Sequence, residues 1–182
     1  QTHQAKSCII VGGGRAAYYL AKRLIELGIS VQIVENKKER CEELSVLLPQ
    51  AIIVNGDGTS EELLNEIGIT TTESLVTLTG IDEENIMLTL YAKEVSNAKV
   101  VTKINRITYT GVIDQLDLGS VVYPKYITSE AIIAFVRSKT ATMNNNIETM
   151  IHLFDERVEA IEFVVGDQSP IVNLPLAQLK LK

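Results

Sequence analysis

Cys8-Ile9-Ile10-Val11-Gly12-Gly13-Gly14-Arg15-Ala16-Ala17 decides the fold of this chain. An apolar, β-branched run ends in three glycines, and a helical pattern opens directly behind them. The stretch satisfies Gly-x-Gly-x-x-Ala with Gly12, Gly14 and Ala17. Each position has a physical reason: Gly12 permits a tight turn, Gly14 lets bare backbone approach a diphosphate, and Ala17 keeps the helix close to the strand. The helix N-terminus then offers unpaired amides and about half a positive charge to an anion. A glycine cluster alone is only a flexible turn. Here a strand, a helix and a later acid stand in register with it, so it reads as a nucleotide-binding turn.

That acid is Glu35, at the end of the second apolar run. A carboxylate there accepts hydrogen bonds from both hydroxyls of an adenosine ribose and repels a 2′-phosphate, so NAD is favoured over NADP. Lys37, Lys38 and Arg40 follow closely and argue the other way; while Glu35 is present they read as solvated charges on the first turns of a helix. The third run ends in Asn55-Gly56-Asp57-Gly58-Thr59, either an irregular turn lying beside an adenine or simply a turn with a helix cap. Thr79-Gly80 follows the fourth run, where the order of a doubly wound sheet reverses.

Around these turns, β-branched runs alternate with helical patterns. Strands are expected at Ser7–Val11, Val31–Glu35, Ala51–Asn55, Ser74–Leu78, Lys99–Lys103 and Ser120–Tyr123. Helices are expected at Arg15–Leu27, Lys38–Leu48, Ser60–Ile67, Asp82–Ser96, Ile107–Leu116 and Ile127–Arg137. Strands apolar on both faces belong in a parallel sheet covered by helices, and each helix supplies the crossover such a sheet needs. The fold class is therefore α/β, a doubly wound Rossmann-type parallel sheet. Gly28 and Gly68 sit where a left-handed residue ends a helix, and Pro49 stops the second helix. Thr59 with Glu62, and Asn36 with Glu39, have capping-box spacing.

Composition changes after Arg137. Residues 1–6 read as a linker or chain edge, 7–138 as the nucleotide-binding domain and 139–146 as a polar linker. Residues 147–182 form a small α+β appendage, with strand-like runs at Met150–Phe154 and Val158–Val165 around a hairpin turn and an amphipathic element from Leu176.

The 182 residues carry 17 Lys and Arg against 23 acids, net −6, which argues against nucleic acid as a partner. The longest apolar run, Ala131 to Val136, is far short of the ~20 residues a membrane helix needs, so no direct membrane insertion is expected. Cys8 and Cys41 form no CxxC pair and read as reduced, buried thiols, and no metal site is expected.

The residues of hydride-transfer chemistry are not placed for it. A dehydrogenase needs an acid or base at its substrate, yet the two histidines, His3 and His152, stand away from the strand ends. Tyr91 and Lys93 are too close to form a Tyr-x-x-x-Lys pair, and neither a Gly-x-Ser-x-Gly elbow nor a Walker motif occurs. No catalytic residue is assigned: the nucleotide is sensed, not consumed. The helix Thr128–Arg137 adds that Ala131 to Val136 is apolar all round, and such a helix must be covered on every side. A second chain is the simplest cover, and the chain's own tail is the other.

Four stretches carry a family resemblance: Cys8 to Lys22 with its Gly-Gly-Gly-Arg turn, Val54-Asn-Gly-Asp-Gly-Thr59, Leu75-Val-Thr-Leu-Thr79 with Asp82-Glu-Glu-Asn-Ile86, and Val121-Val-Tyr-Pro-Lys-Tyr-Ile-Thr128. Together they resemble the TrkA family, cytosolic potassium-uptake regulators built from RCK (KTN) domains, and most of all the second RCK repeat. Ala17 stands where the family often has glycine. Asn146 to Lys182 resembles only the opening of the smaller C-terminal RCK subdomain.

The resemblance implies a regulatory subunit that binds NAD(H), or alternatively ATP/ADP. It implies a homo-oligomer, a dimer or higher, through the helix Thr128–Arg137. It further implies a membrane potassium transporter subunit as partner and a cytoplasmic location at the inner face of the plasma membrane. The cofactor-binding domain of an NAD-dependent dehydrogenase and the regulatory domain of an ion antiporter are the alternatives. Carried onto this chain, Gly12, Gly14 and Arg15 meet phosphates and Glu35 the ribose, with Gly13, Ala16, Asn36 and Arg40 as further cofactor-binding candidates. Gly56, Asp57 and Gly58 lie by the adenine, with Thr79, Gly80, Lys103 and Arg106 at the far end.

Overall fold

A computed structural model describes residues 5–106, 110–113, 115–140, 146–153 and 158–166, with Ser169, Val172 and Pro175; over 137–164 it describes the backbone. The elements run β1 (Ser7–Val11), α1 (Arg15–Glu26), β2 (Ser30–Glu35), α2 (Lys38–Leu47), β3 (Ile52–Asn55), α3 (Glu61–Glu66) and β4 (Ser74–Thr77). They continue with α4 (Asp82–Val95), β5 (Lys99–Lys103), α5 (Thr110–Ile113), β6 (Ser120–Val122), α6 (Pro124–Thr140), β7 (Asn146–Leu153) and β8 (Val158–Val164). The chain divides into two compact units, residues 1–125 and 126–182.

The first unit is a six-stranded sheet in the order β3-β2-β1-β4-β5-β6, every pair parallel. This is the doubly wound Rossmann order, and it reverses between β1 and β4. Successive side chains on a strand face opposite ways, which explains why β1 is apolar throughout. Cys8 and Ile10 join one core with Ala17 and Ala21 of α1 and Leu44 of α2. Ile9 and Val11 join the other with Leu64 of α3 and Leu88 and Ala92 of α4. Both cysteines are buried and free.

Local punctuation agrees in part with expectation. Gly28 and Gly68 end their helices at φ +79° and +87°. The caps differ. Ser60, not Thr59, caps α3, accepting the Leu63 amide on its hydroxyl, because Thr59 donates both its amide and its hydroxyl to Asp57 Oδ1. Lys37, not Asn36, stands at the N-cap of α2 and makes no side-chain cap, its amide being held by Glu35.

Of the expected helix Ile107–Leu116, Thr110–Ile113 is helical as α5 and Gln115 and Leu116 are not, while 107–109 and 114 lie outside the described residues. Helix α6 begins earlier than Ile127, at Pro124, whose ring presets the dihedral of a first helical residue and whose missing N–H costs nothing there. In the second unit, β7 and β8 pair antiparallel, as the hairpin reading expected, and β7 reaches back to Asn146. Ile127, Ile132 and Ile133 of α6 are all exposed. Among the described residues no helix is long and apolar enough to cross a membrane.

Candidate nucleotide site

A cleft of about 710 Å³ opens at the carboxyl ends of β1 to β5, over the point where the sheet order reverses. In open parallel sheets this crevice is where ligands bind. Its apolar floor is Val11, Val34 and Leu78, and the loops after the strands form its walls.

The glycine turn is built by close approach. Gly12 has φ +101° and donates to Val34 O at 2.8 Å; a Cβ there would meet the Leu78 carbonyl at 2.8 Å. Gly13 is pressed against Leu44 and Glu35, and a Cβ on Gly58 would run into Val11 Cγ1. Gly14 is different, because nothing lies within 4 Å of where its Cβ would stand. It is also the N-cap of α1, which has no side-chain cap and no acid in its first turn. Bare backbone and the uncapped positive end of a twelve-residue helix therefore meet open volume.

Helix α4, which also starts at the cleft, is the opposite case. It carries Asp82, Glu83 and Glu84 in its first turn, and Glu84 lines the cleft. An anion is repelled there and favoured at α1.

Glu35 ties the first two loops together. Its Oε2 accepts the Gly13 amide and its Oε1 the Lys37 amide, each at 2.8 Å. Its own carbonyl accepts from Gly56 N and Asn55 Nδ2, both at 3.0 Å. Both carboxylate oxygens keep lone pairs for further donors. Arg40 secures the same turn from behind: its Nε donates to Gly13 O at 2.7 Å while its NH1 pairs with Glu43. Asp57 forms a tight turn with Thr59, whose two donors hold its carboxyl below the usual range.

The far side is held by α4. The buried Asn85 accepts the Thr79 amide at 2.9 Å and donates to the carbonyls of Thr79 and Lys103 at 3.3 and 3.0 Å. Burial alone would raise the Asp82 carboxyl. The amides of Asn105 and Arg106 and the Asn105 side chain outweigh that and hold it below the usual range. Lys103 donates to Leu78 O at 3.1 Å; burial lowers its pKa and the charge of Asp82 raises it in part.

Of the residues expected from sequence, Gly12, Gly13, Gly14, Glu35, Asn36, Arg40, Gly56, Asp57, Gly58, Thr79, Gly80 and Lys103 line this one cleft. Arg15 and Ala16 do not; both are exposed on the first turn of α1. Ala17 and Ala21 set the inward face of that helix, and a residue two places before Ala17 lies about 200° round from it. Arg106 is also outside the wall, with its guanidinium 3.8 Å from Glu83. Sequence reasoning missed Ile81 and Glu84 as wall residues and read Lys37 as solvated charge, while Thr59, left open between an adenine-side turn and a cap, lines the wall. A loop ending in Thr79-Gly80 one residue before a helix was the available signal, since such a loop carries the first turn of that helix to the cleft.

Comparison with known proteins agrees with this architecture. The chain is 31% identical over 173 residues to Trk system potassium uptake protein trkA homolog 1 of Methanosarcina mazei, a match covering 94% of this chain and 41% of that protein. The chain thus spans about two fifths of the length of the curated relatives it matches. Among solved structures, the TrkA-N domain of inner membrane protein ybaL from Escherichia coli superposes with a TM-score of 0.65 at 15% identity, over 74% of this chain and 99% of that one. The GsuK channel bound to NAD gives 0.62 at 14% identity, over 85% of this chain and 26% of that one. These two likenesses concern the fold. The family model for the TrkA-N domain matches residues 8–124, nearly the whole parallel sheet with its cleft, and the chain belongs to that family.

Proposed function

We propose that this chain is a nucleotide-sensing, non-catalytic regulatory domain of a Trk-type potassium uptake system, taking NAD(H) in the cleft beside Gly14 and Glu35. The observation that carries the reading is the pairing of an uncapped helix N-terminus with a carboxylate fixed across the turn from it. The first suits a diphosphate and the second a ribose diol. Gly12, Gly13 and Gly14 contribute backbone, and Asn36, Gly56, Asp57 and Gly58 border the adenosine end. Thr79, Gly80 and Lys103 border the other end, with Arg40 holding the turn. The relatives named as potassium uptake proteins, and a channel of like fold bound to NAD, support this reading.

Binding biases the arrangement of paired copies. Exposed apolar residues of α6 suit contact with a second chain, which would give a homo-oligomer. A membrane potassium transporter subunit would read the change, with the domain at the cytoplasmic face and residues 147–182 opening a second subdomain. Coupling of about 1–3 kcal/mol is enough for such control. Calorimetric titration with NAD, NADH, ATP and ADP tests the reading. Saturable heat with NAD or NADH is expected. Heat with none of the four overturns it, ATP or ADP alone moves the ligand class, and NADH oxidation with a carbonyl substrate would make the protein an enzyme.

A further inference from the structure

Beside the cleft, sharing Thr59 and Glu84 with its wall, a groove of about 390 Å³ runs between α3 and α4. Leu64 and Leu88 form its buried floor, Tyr91 lines it, and Met87 lies in it 65% exposed. Its rim is acidic: Glu61, Glu84 and Glu94 line it, and no Lys or Arg does. Together α3 and α4 carry seven carboxylates and one lysine, and that lysine, Lys93, is paired with Asp117. Two helices thus hold as much net negative charge as the entire chain.

Helix stability accounts for only part of this. Glu61 and Glu84 stand in first turns, where carboxylates complement the helix dipole. Glu94 stands in the last turn of α4 and Glu66 ends α3, where the dipole opposes them. An exposed methionine over leucine, ringed by acids, is the complement of a helix with an apolar face and basic flanks. A second copy docking groove to groove would bring the same carboxylates against these and be repelled.

From this we infer that the α3–α4 groove docks a cationic amphipathic helix of a partner protein. Apolar side chains of that helix cover Met87 and the leucine floor, and its Lys or Arg residues meet Glu61 and Glu94. The inference stands independently of the nucleotide reading.

The test is fluorescence anisotropy with a labelled Leu/Lys amphipathic peptide of about four helical turns, and its Leu/Glu counterpart, on the full chain without nucleotide. The Leu/Lys peptide binds and the Leu/Glu peptide does not. Met87→Gln, which leaves charge unchanged, weakens binding about tenfold, and Glu61→Gln with Glu94→Gln does at least as much. Glu39→Gln with Glu42→Gln removes equal charge on α2, against the other sheet face, and leaves affinity within about twofold. Unchanged affinity in Met87→Gln, or an equal loss in the α2 variant, overturns the proposal, since binding is then only general attraction to an acidic protein. A fall in solution mass of the free protein on Met87→Gln also overturns it, because the groove is then covered by another copy.

Discussion

Glu35 and Gly13, twenty-two residues apart in the chain, are joined by a 2.8 Å hydrogen bond from the Gly13 amide to Oε2. The carboxylate thus holds the glycine turn in shape before any ligand arrives, and its free lone pairs face the cleft it lines. Glu35→Ala removes the brace and, with it, the proposed ribose acceptor, so on the proposed function NAD should bind about 1–3 kcal/mol more weakly by calorimetry. Glu35→Gln keeps one acceptor oxygen and should lose less. Unchanged affinity in Glu35→Ala would take the residue out of the site.

Two glycines of the same turn should behave oppositely. At Gly12 a methyl would meet the Leu78 carbonyl at 2.8 Å with φ at +101°, so Gly12→Ala is strained whatever the ligand and should lower the melting temperature markedly. Gly14 has open space and φ of −66°, so Gly14→Ala should fold normally, within about 1 kcal/mol of the parent. On the proposed function its methyl would still stand where a phosphate approaches, and NAD affinity should drop. Tight NAD binding by a stable Gly14→Ala protein would contradict the phosphate placement.

How much of this was readable in advance follows from where information sits in a chain. The sheet was legible because a parallel strand buried on both faces leaves an unbroken apolar run, as in Cys8 to Val11. The glycine turn and Glu35 were legible because their positions are fixed relative to those strands. Caps were less so: Thr59 has the right side chain, but Asp57 two residues earlier takes its donors and passes the cap to Ser60. Arg15 was carried over from the family resemblance; the helical period set by Ala17 and Ala21 leaves it exposed and outside the cleft wall. Glu84 reaches the cleft only because α4 starts immediately after Ile81, a boundary that sequence fixes poorly.

Asn85 is the clasp of the far wall, satisfying Thr79 N, Thr79 O and Lys103 O from a fully buried position. Asn85→Ala would strand the Thr79 amide and the Lys103 carbonyl and leave a void, lowering stability by about 2–4 kcal/mol in urea unfolding. Asn85→Asp keeps an acceptor for Thr79 but sets a carboxylate against two carbonyls, and should be at least as damaging. A loss below about 0.5 kcal/mol in both would mean that the two loops hold each other without it.

The exposed apolar residues of α6 make a separate prediction. If they meet a second copy, Ile132→Glu should reduce the solution mass of the protein by light scattering and leave the Rossmann sheet folded by circular dichroism. An unaltered mass would mean that this face is covered in some other way.

Asp82 sets the response to acid. Its folded carboxyl is held below the ordinary value of 3.8 because three N–H groups outweigh its burial. A depressed folded value means that the unfolded chain takes up the proton first. The stabilisation is therefore present in full above the ordinary value and is lost as pH falls through the lowered one. Chemical denaturation between neutral pH and about pH 3 should show stability declining on that limb, and Asp82→Asn should flatten the decline at the cost of lower stability near neutrality. Asp57 shifts the same way but is exposed, so Asp57→Asn should change the limb far less. If Asp57→Asn flattens the acid limb and Asp82→Asn does not, the anchoring of the Asn105–Arg106 segment through Asp82 is wrong.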